Sequence, residues 1–319
     1  MFDVTALGEL LIDFALVGTD ENGYPSMKAA PGGAPCNFLA ALAEYGCKTA
    51  FIGAVGCDVF GDMLVHTLKQ RGIETRGVVR SGDSFTTLAF VTIGKNGERE
   101  FSFARKPGAD TRLSFSDIDK TLIDNSRVFY FGTLSLTDEP ARGATEKAVA
   151  YAKAGGKIIS CDPNLRLPLW KSKNAAKDAM FWALSQSDVV KISGDEVEFL
   201  FDCSPHEGAE KVLTLGAKLV FVTLGANGCL FSNGNGSGEI KAPGGIHAVD
   251  TTGAGDVFGG AAMSRLLRSG SLSNALSVSD MRDIARFACC AASLSTESRG
   301  GINSVVPEEK VLGAIKRLY

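Results

Sequence analysis

The chain has 319 residues, of which 45% are hydrophobic and 22% charged, and its formal net charge is −3. This composition is typical of a soluble α/β protein with one large domain or two smaller ones. The slight negative charge does not favour nucleic acid or an acidic membrane surface as a partner. No uninterrupted apolar run approaches the roughly 20 residues that a membrane-spanning helix needs.

The eight cysteines and three histidines predict neither a disulfide framework nor a zinc site. No two cysteines form a C-x-x-C pair, and His66, His206 and His247 do not lie at metal-ligand spacing. No N-terminal segment has the charged and then apolar layout of a signal peptide. We therefore expect free thiols and a cytoplasmic location.

Short apolar runs alternate with amphipathic stretches along the chain. This alternation predicts a mostly parallel sheet with helices on both faces. Buried strands are predicted at residues 4–7, 49–52, 128–131, 157–161, 189–192 and 219–223. Helices are predicted at residues 34–45, 62–70, 140–153, 174–185, 206–215, 255–268 and 280–295.

Two segments, residues 14–31 and 84–106, interrupt the alternation. The first contains D-E-N-G at residues 20–23, and the second has two β-rich runs joined by K-N-G-E at residues 95–98. An Asn-Gly pair between β-rich runs is a strong hairpin signal. We expect two antiparallel ribbons outside the main sheet, and hairpins without a function are the alternative.

The most informative motif is D-T-T-G-A-G-D-V-F at residues 250–258, a glycine-rich turn that leads into a predicted helix. The first amides of a helix lack intrahelical partners and favour an anion, and glycines let a phosphate approach the backbone. Asp256 would repel that phosphate unless it removed a proton from a hydroxyl that attacks the phosphorus. The motif therefore predicts a kinase that acts on an alcohol. The alternative is that Asp256 only charges a helix N-terminus.

A second glycine motif, P-G-G-A-P-C-N at residues 31–37, precedes the first predicted helix. Paired glycines let backbone amides approach a ligand without side-chain obstruction, and the Asn37 side chain offers both a donor and an acceptor. A third, V-T-L-G-A-N-G at residues 222–228, runs from a strand through a glycine turn into another strand. Each of these two segments, taken alone, is also explained by an ordinary turn.

In this order, the motifs resemble those of the ribokinase-like (PfkB) family of carbohydrate kinases, which carry G-G-x-x-x-N near the N-terminus and D-T-x-G-A-G-D-x-F near the C-terminus. The resemblance runs from residue 4 to about residue 307. It implies a single domain over residues 1–319 with a ribokinase-like three-layer α/β/α fold and a mostly parallel central sheet. It also implies a small β-lid over the sugar, formed by residues 14–31 and 84–106 and often shared in a homodimer. A lid would keep water from accepting the phosphoryl group.

The resemblance also implies roles for particular residues. Asp256 would be the general base, and the amides of Gly253, Ala254 and Gly255 would form the anion hole for the transferred phosphoryl group. The residues implied to bind the sugar are Asp13, Gly32, Gly33, Asn37, Arg105 and Arg166. The residues implied to bind ATP are Lys191, Thr223, Gly225, Gly228 and, in a segment that closes the adenine pocket, Asn303.

Two metal sites follow from the same resemblance. Glu196 keeps the acidic position of the family's N-x-x-E motif, which organises Mg²⁺ and its waters beside the nucleotide. Ser193 stands where that motif has Asn, so the sequence departs from the family here. Asp250 and Thr252 are implied to hold a monovalent cation such as K⁺, as in some family members.

The branch of the family is indicated by F-A-R at residues 103–105, A-D at 109–110 and D-P-N-L-R at 162–166, which look like fructokinase and ketodeoxygluconate-kinase sequences. The A-D pair favours fructose, and no cationic partner for the carboxylate of ketodeoxygluconate is identified. We expect D-fructose and ATP to give D-fructose 6-phosphate and ADP. A 2-keto-3-deoxygluconate kinase, another ribokinase-like sugar or nucleoside kinase, and a catalytically silent sensor remain alternatives.

Overall fold

The computed structural model describes residues 1–93, 99–270 and 276–319. Its strands form two sheets and are, in chain order, β1 (Phe2–Leu7), β2 (Leu11–Thr19), β3 (Pro25–Gly32), β4 (Thr49–Gly56), β5 (Glu74–Ser81), β6 (Leu88–Ile93), β7 (Arg99–Ala104), β8 (Ser126–Gly132), β9 (Ile158–Asp162), β10 (Val189–Ser193), β11 (Leu219–Thr223), β12 (Cys229–Ser232) and β13 (Ser237–Ile240).

The helices cover both faces of the larger sheet. They are α1 (Ala34–Glu44), α2 (Val59–Gln70), α3 (Lys120–Asp124), α4 (Ala141–Ala154), α5 (Lys173–Gln186), α6 (Gly194–Phe201), α7 (Pro205–Thr214), α8 (Ala254–Ser269), α9 (Val278–Ser295) and α10 (Glu308–Leu318).

The larger sheet has the order β13-β12-β11-β10-β9-β8-β1-β4-β5. Seven of these strands are parallel, while β12 and β13 add antiparallel to β11 at one edge. Because a pleated strand directs successive side chains to opposite faces, a strand covered on both faces is apolar throughout. In β1, Val4 and Ala6 pack toward α1, α8 and α9, whereas Leu7 packs toward α3 and α4. The three-layer α/β/α prediction is confirmed.

All six predicted buried strands and all seven predicted helices are present, with small shifts at their ends. The α2 helix begins three residues early because the Asp58 side chain caps it, accepting from the Gly61 amide at 2.8 Å. The edge strand β5 was not predicted. It is only partly buried and carries Glu74, Arg76 and Arg80, so it lacks an apolar run.

The smaller sheet has the order β3-β2-β6-β7. The β2–β3 and β6–β7 pairs are antiparallel, as expected for two ribbons, and the parallel pairing of β2 with β6 joins them into one sheet. A small separate sheet was predicted, although the pairing of its two halves was not. The predicted turn at residues 95–98 lies outside the described residues.

Aromatic side chains anchor one face of the smaller sheet. The Phe14 ring of β2 packs edge-on against Phe60 of α2 at 5.7 Å and stacks on Phe90 of β6 at 5.4 Å. The opposite face carries Phe101 and Phe103 on β7 and is turned toward a cavity. This small sheet is called the lid below.

Across the described ranges, no helix combines the length and the apolarity that crossing a membrane requires.

Candidate active site

A cavity of about 960 Å³ opens at the carboxyl ends of the parallel strands, where doubly wound sheets bind ligands. Glu9 follows β1, Ser193 ends β10 and Thr223 ends β11, and all three line the cavity. On the lid side, Phe101 and Phe103 of β7 line it as well. The cavity therefore lies between the central sheet and the lid.

The start of α8 forms part of the cavity wall. Gly253 precedes the helix with φ 78°, and a Cβ there would lie 2.8 Å from the Cα of Gly301, so glycine is required. Within the described chain, no side chain caps α8, whereas a serine capping box begins α6, α7 and α9. The Ala254 amide donates weakly to the Thr251 carbonyl at 3.3 Å, while the Gly253 and Gly255 amides have no acceptor among the described residues and leave a place for an anion.

Asp256 lies in the first turn of α8 and is 9% exposed. Its Oδ2 accepts a hydrogen bond from Asn37 Nδ2 at 2.8 Å. Burial raises the pKa of Asp256 above its ordinary value, and this rise is opposed by the hydrogen bond from Asn37 and by the charges of Lys191 and Arg166. A buried carboxyl with a raised pKa in a cleft is typical of a functional group.

The start of α1 brings Asn37 to this place. Gly33 has φ 112°, and a Cβ there would overlap the carbonyl oxygen of Glu9, so the chain can turn into the helix only with glycine. The Glu9 side chain accepts from the Ala34 amide at 2.8 Å. Gly32 lies beside Asp13, since a Cβ on Gly32 would overlap the Asp13 carboxylate.

Asp13 extends from β2 of the lid into the cavity. Burial raises its pKa to about 7, while the positive charge of Arg166 lowers it. In the part of the chain that the structure describes, no donor hydrogen-bonds its carboxylate. Asp13 can therefore accept from a bound hydroxyl.

Lys191 and Asp162 form an ion pair below the start of α8, with Nζ 2.9 Å from Oδ2. Burial raises the pKa of Asp162 to about 7, against the charge of Lys191. Burial lowers the pKa of Lys191, but the charges of Asp162, Glu196 and Asp256 outweigh it and raise the value to about 12. The ammonium thus stays charged beside the anion site.

Glu196 forms a capping box with Ser193 at the start of α6. Its Oε2 accepts from the Ser193 amide at 2.8 Å and from the Ser193 hydroxyl at 2.9 Å, and its Oε1 accepts from the Leu165 amide at 2.7 Å. Ser and Asn are both good N-caps. The serine departure from the family pattern therefore keeps the helix start and the orientation of Glu196.

A second cavity, of about 380 Å³, adjoins the first, and Thr223 and Gly225 line both of them. Gly228 and Ala254 line the second cavity, and Gly228 has φ 101°. The rest of its wall is mostly apolar and comprises, among others, Ala242, Pro243, Ala248, Phe258 and Ala292. The two cavities together form an elongated site with a polar end and an apolar end.

Most of the site residues implied by the sequence meet at the first cavity. Those that line it are Asp13, Gly33, Asn37, Arg166, Lys191, Glu196, Thr223, Gly225, Thr252, Gly253, Gly255 and Asp256.

Arg105 does not lie on the cavity wall. Its side chain is buried, with Nε 2.8 Å from Asp110 Oδ2, Nη1 2.7 Å from Thr137 Oγ1 and Nη2 2.9 Å from the Leu134 carbonyl. These partners hold the guanidinium between the end of β7 and the turn after β8. The predicted contact with sugar is therefore not the arrangement in this structure.

Asn303 lies apart from the nucleotide-side residues. It accepts a hydrogen bond from Arg71 Nη2 at 3.1 Å and lines a third cavity, of about 310 Å³, with Asp13 and Asp250. This placement differs from the predicted adenine pocket. The loop after α9 folds back toward the lid, a path that its sequence does not indicate.

Asp250 joins the loop before α8 to the loop after α9. Its Oδ1 accepts from the Thr252 amide at 2.9 Å, and its Oδ2 accepts from the Gly300 amide at 3.1 Å. Thr252 reaches both the first and the third cavity.

Sequence reasoning missed several cavity residues, including Glu9, Phe101 and Phe103. The two phenylalanines are two positions apart on a predicted strand, which places both on one face, so this spacing could have identified them. Glu9 directly follows the first predicted strand, the usual position of a site residue in such sheets.

Comparison with known proteins places the chain in a family. The model of the pfkB family of carbohydrate kinases matches residues 1–309. The chain belongs to this family. Fructokinase-2 from Solanum lycopersicum is 37% identical, over 98% of this chain and 96% of the relative. The chain is accordingly an ATP-dependent carbohydrate kinase.

Two solved structures are similar over nearly the whole chain. A fructokinase with bound ATP from Xylella fastidiosa has a TM-score of 0.89 and 27% identity, and the match covers 99% of each chain. A fructokinase double mutant from Vibrio cholerae, with fructose, ADP and a potassium ion bound, has a TM-score of 0.88 and 28% identity over 98% of each chain. These likenesses establish the ribokinase-like fold for this kinase.

Proposed function

We propose that this kinase transfers the γ-phosphoryl group of ATP to D-fructose and forms D-fructose 6-phosphate and ADP. The observation that carries the proposal is the position of Asp256. Its carboxylate lies in the first turn of α8, which no side chain caps in the described residues, and it lines the same cavity as Asp13 and Thr223. The curated relative named a fructokinase and the fructose-bound neighbour support fructose as the acceptor.

The sugar would occupy the end of the cavity beneath the lid. Asp13 offers a carboxylate without a described protein donor, Asn37 Oδ1 is a buried acceptor without a described partner, and Arg166 supplies donors. A polyol needs several separate hydrogen bonds of this kind. The rings of Phe101 and Phe103 would cover it and exclude water.

ATP would lie across Thr223 and Gly225, which are among the residues that line both cavities. The apolar wall of the second cavity suits a purine base, and the polar first cavity suits the phosphates. The amides of Gly253, Ala254 and Gly255 would then face the transferred phosphoryl group, with the Lys191 ammonium beside them.

The residues at the phosphate end fit a hydrated Mg²⁺. The Glu196 oxygens are oriented by protein donors and keep further lone pairs for water, and Mg²⁺ retains several waters in protein sites. When bound, the ion supplies positive charge to the phosphates of ATP. Asp250 and Thr252 are the residues we propose for a monovalent cation, in line with the potassium ion in the Vibrio cholerae neighbour.

In the proposed step, Asp256 accepts the proton of the sugar's primary hydroxyl. The resulting oxygen attacks the γ-phosphorus in line, and the bond to the β–γ bridging oxygen breaks, so that ADP leaves. Charge spreads over the phosphoryl oxygens, where the α8 amides, Lys191 and Arg166 stabilise it.

The test is ADP release, measured by a coupled assay with Mg-ATP, against fructose, ketodeoxygluconate, ribose, tagatose, fructose 6-phosphate and adenosine. We expect selective turnover of fructose. Asp256→Asn keeps the shape and the Asn37 contact site, and we expect it to lose about 10²–10⁴-fold in kcat while it still binds fructose. Turnover of another acceptor would reassign the substrate. An unchanged rate in Asp256→Asn would show that Asp256 is not the general base.

A further inference from the structure

Asn37 links two segments that are 219 positions apart in the chain. Its Nδ2 donates to Asp256 Oδ2 at 2.8 Å, and the residue is 3% exposed. An ionised carboxylate only accepts hydrogen bonds, so the amide nitrogen is the atom that must face it. The orientation of this one amide therefore decides whether Asp256 has a donor.

Two glycines flank the Asn37 amide. A Cβ on Gly253 would lie 3.1 Å from Asn37 Nδ2, and a Cβ on Gly301 would overlap the Asn37 amide group. The three atoms nearest to that Gly301 position all belong to Asn37. The φ of Gly301 is outside the left-handed region, so its backbone would accept alanine. The Asn37 side chain is thus the obstacle to a larger residue at position 301.

We propose that Asn37 and Gly301 are positioning residues for the catalytic base: the space at Gly301 keeps the Asn37 amide on Asp256, and this hydrogen bond favours the ionised form of the buried carboxylate. The inference rests on the proposed function, because it presupposes that Asp256 accepts the proton. It gives a role to Gly301, in the loop after α9. Gly301 is not among the residues predicted to bind the sugar or ATP.

The charges around Asp256 agree with this role. Burial raises the pKa of Asp256, and the hydrogen bond from Asn37 is the largest effect that lowers it, ahead of Lys191 and Arg166. The other titratable groups that face Asp256 are the carboxyls of Asp13, Asp162 and Glu196, the Cys36 thiol and the Tyr130 hydroxyl. Changing only Asn37 or Gly301 leaves all of these groups in the chain.

The experiment is the pH profile of kcat/KM for fructose, whose acid limb reports the base in the free enzyme. Asn37→Ala removes the donor, so the pKa of Asp256 rises. We expect the acid limb to move upward by about one pH unit. Gly301→Ala displaces the amide, and we expect a shift of similar size. In the double variant, Asn37→Ala with Gly301→Ala, the Asn37 amide no longer obstructs position 301. We therefore expect no shift of the acid limb beyond that of Asn37→Ala alone.

Controls separate this role from a general loss of structure. Gly313→Ala, in α10, brings its new Cβ within 4 Å of no heavy atom of the described residues and should keep the wild-type profile. Thermal unfolding midpoints show whether each variant is folded at the assay temperature. If an alanine variant is not folded, Asn37→Leu keeps the volume, lacks the donor and decides the same question.

An acid limb that stays at the wild-type pH in Asn37→Ala, with only KM increased, would show that Asn37 serves the sugar alone. Additive shifts in the double variant would overturn the role of Gly301. If Asp256→Asn is inactive while the acid limb of Asn37→Ala stays at the wild-type pH, only this inference fails and the proposed function stands. If Asp256→Asn turns over normally, the base itself is wrongly assigned.

Discussion

Buried carboxyl groups dominate the site at the scale of single residues. Burial raises the pKa of Glu9, Asp13 and Asp162 to about 7 in each case, and it raises that of Asp256 as well. These four acids cannot all ionise without compensation. For Asp13, Asp162 and Asp256 the compensation comes from Lys191, Arg166 and the Asn37 amide, and for Glu9 it comes from backbone hydrogen bonds and Arg105. The site is therefore electrostatically costly without its ligands, as expected where function outweighs stability.

Asp13 tests the sugar end of the cavity. Asp13→Asn keeps the size of the side chain but weakens acceptance from a sugar hydroxyl, because the charge is lost. We expect kcat/KM for fructose to fall about 10- to 100-fold, which corresponds to one hydrogen bond to a charged group. The KM for ATP should stay unchanged. An equal fall in kcat/KM for fructose and for ATP would instead indicate a change in the whole site.

Glu9 tests the linkage between burial and pH. Its folded-state pKa of about 7 lies above the ordinary 4.5 because burial outweighs the backbone hydrogen bonds that it accepts. The folded state therefore holds a proton that the unfolded chain releases, so this contribution to stability is complete below pH 4.5 and lost as the pH rises through about 7.

Glu9→Gln keeps an acceptor for the Ala34 amide and cannot ionise. Relative to wild type, we expect its free energy of unfolding to increase by about 2–3 kcal/mol between pH 4.5 and pH 8. Urea unfolding at both pH values measures this difference. The exposed Glu21, changed to Gln, is the control, and parallel curves for Glu9→Gln and wild type would contradict the prediction.

At the scale of elements, helix starts have two different uses in this fold. Serine capping boxes close α6, α7 and α9, whereas α8 begins with a glycine and no side-chain cap among the described residues. A serine capping box supplies acceptors for the first amides of its helix, whereas the start of α8 leaves amides for a ligand. Ser193 belongs to a capping box, although it occupies a family position associated with the metal.

The cap at Ser193 can be tested directly. We expect Ser193→Ala to cost about 1 kcal/mol of stability, because the Glu196 amide loses its acceptor and Glu196 loses a donor. Ser193→Asn, the residue of the family pattern, should be within about 0.5 kcal/mol of wild type because Asn caps equally well. Chemical unfolding measures both. A larger loss in the asparagine variant would show that the serine has a specific role.

The base of the lid depends on a buried ion pair. The Arg105 and Asp110 side chains are 3% and 2% exposed, and the guanidinium also binds Thr137 and the Leu134 carbonyl. Leu134 lines the cavity, so this contact links the end of β7 to the cavity wall.

Arg105→Ala leaves the Asp110 charge buried and uncompensated, and we expect it to lower the free energy of unfolding by about 3–5 kcal/mol. If Arg105→Ala instead keeps the wild-type stability and only raises the KM for fructose, the predicted direct contact of Arg105 with sugar is supported. Equilibrium unfolding and steady-state kinetics on the same preparation distinguish these outcomes. Arg142→Ala, which breaks the exposed pair with Glu146, is the matched control.

At the scale of the whole molecule, the lid has features of an association surface. Its outer strands, β3 and β7, are sheet edges, and Val17 and Tyr24 on the lid are 46% and 69% exposed. Open edges and exposed apolar side chains favour pairing with another chain. A homodimer through the lid remains our prediction for this kinase.

Sedimentation velocity tests the assembly. We expect a dimer at micromolar concentration, and Val17→Glu combined with Tyr24→Ser should shift it to the monomer, because a charge enters the contact and an aromatic anchor is lost. Leu312→Glu changes a 43%-exposed residue of α10, away from the lid, and should leave the dimer intact. A wild-type protein that sediments as a monomer at all concentrations would contradict the prediction.

The sequence by itself determined the features that depend on neighbouring residues. The apolar runs predicted the buried strands because a strand covered on both faces must be apolar throughout. The glycines at positions 33 and 253 marked two sharp turns into helices, since their backbone conformations exclude a side chain. Asp256 and Asn37 were therefore identified as candidates from local pattern alone.

Only the tertiary structure decided which distant groups meet. It joined Asn37 to Asp256, placed Arg105 on Asp110 and away from the cavity wall, and carried Asn303 to the lid side. It also paired β2 with β6, so that two separate ribbons became one lid. The reason is physical: propensity and turn chemistry act over a few residues, whereas these contacts depend on how sheet, helices and loops pack across the whole chain.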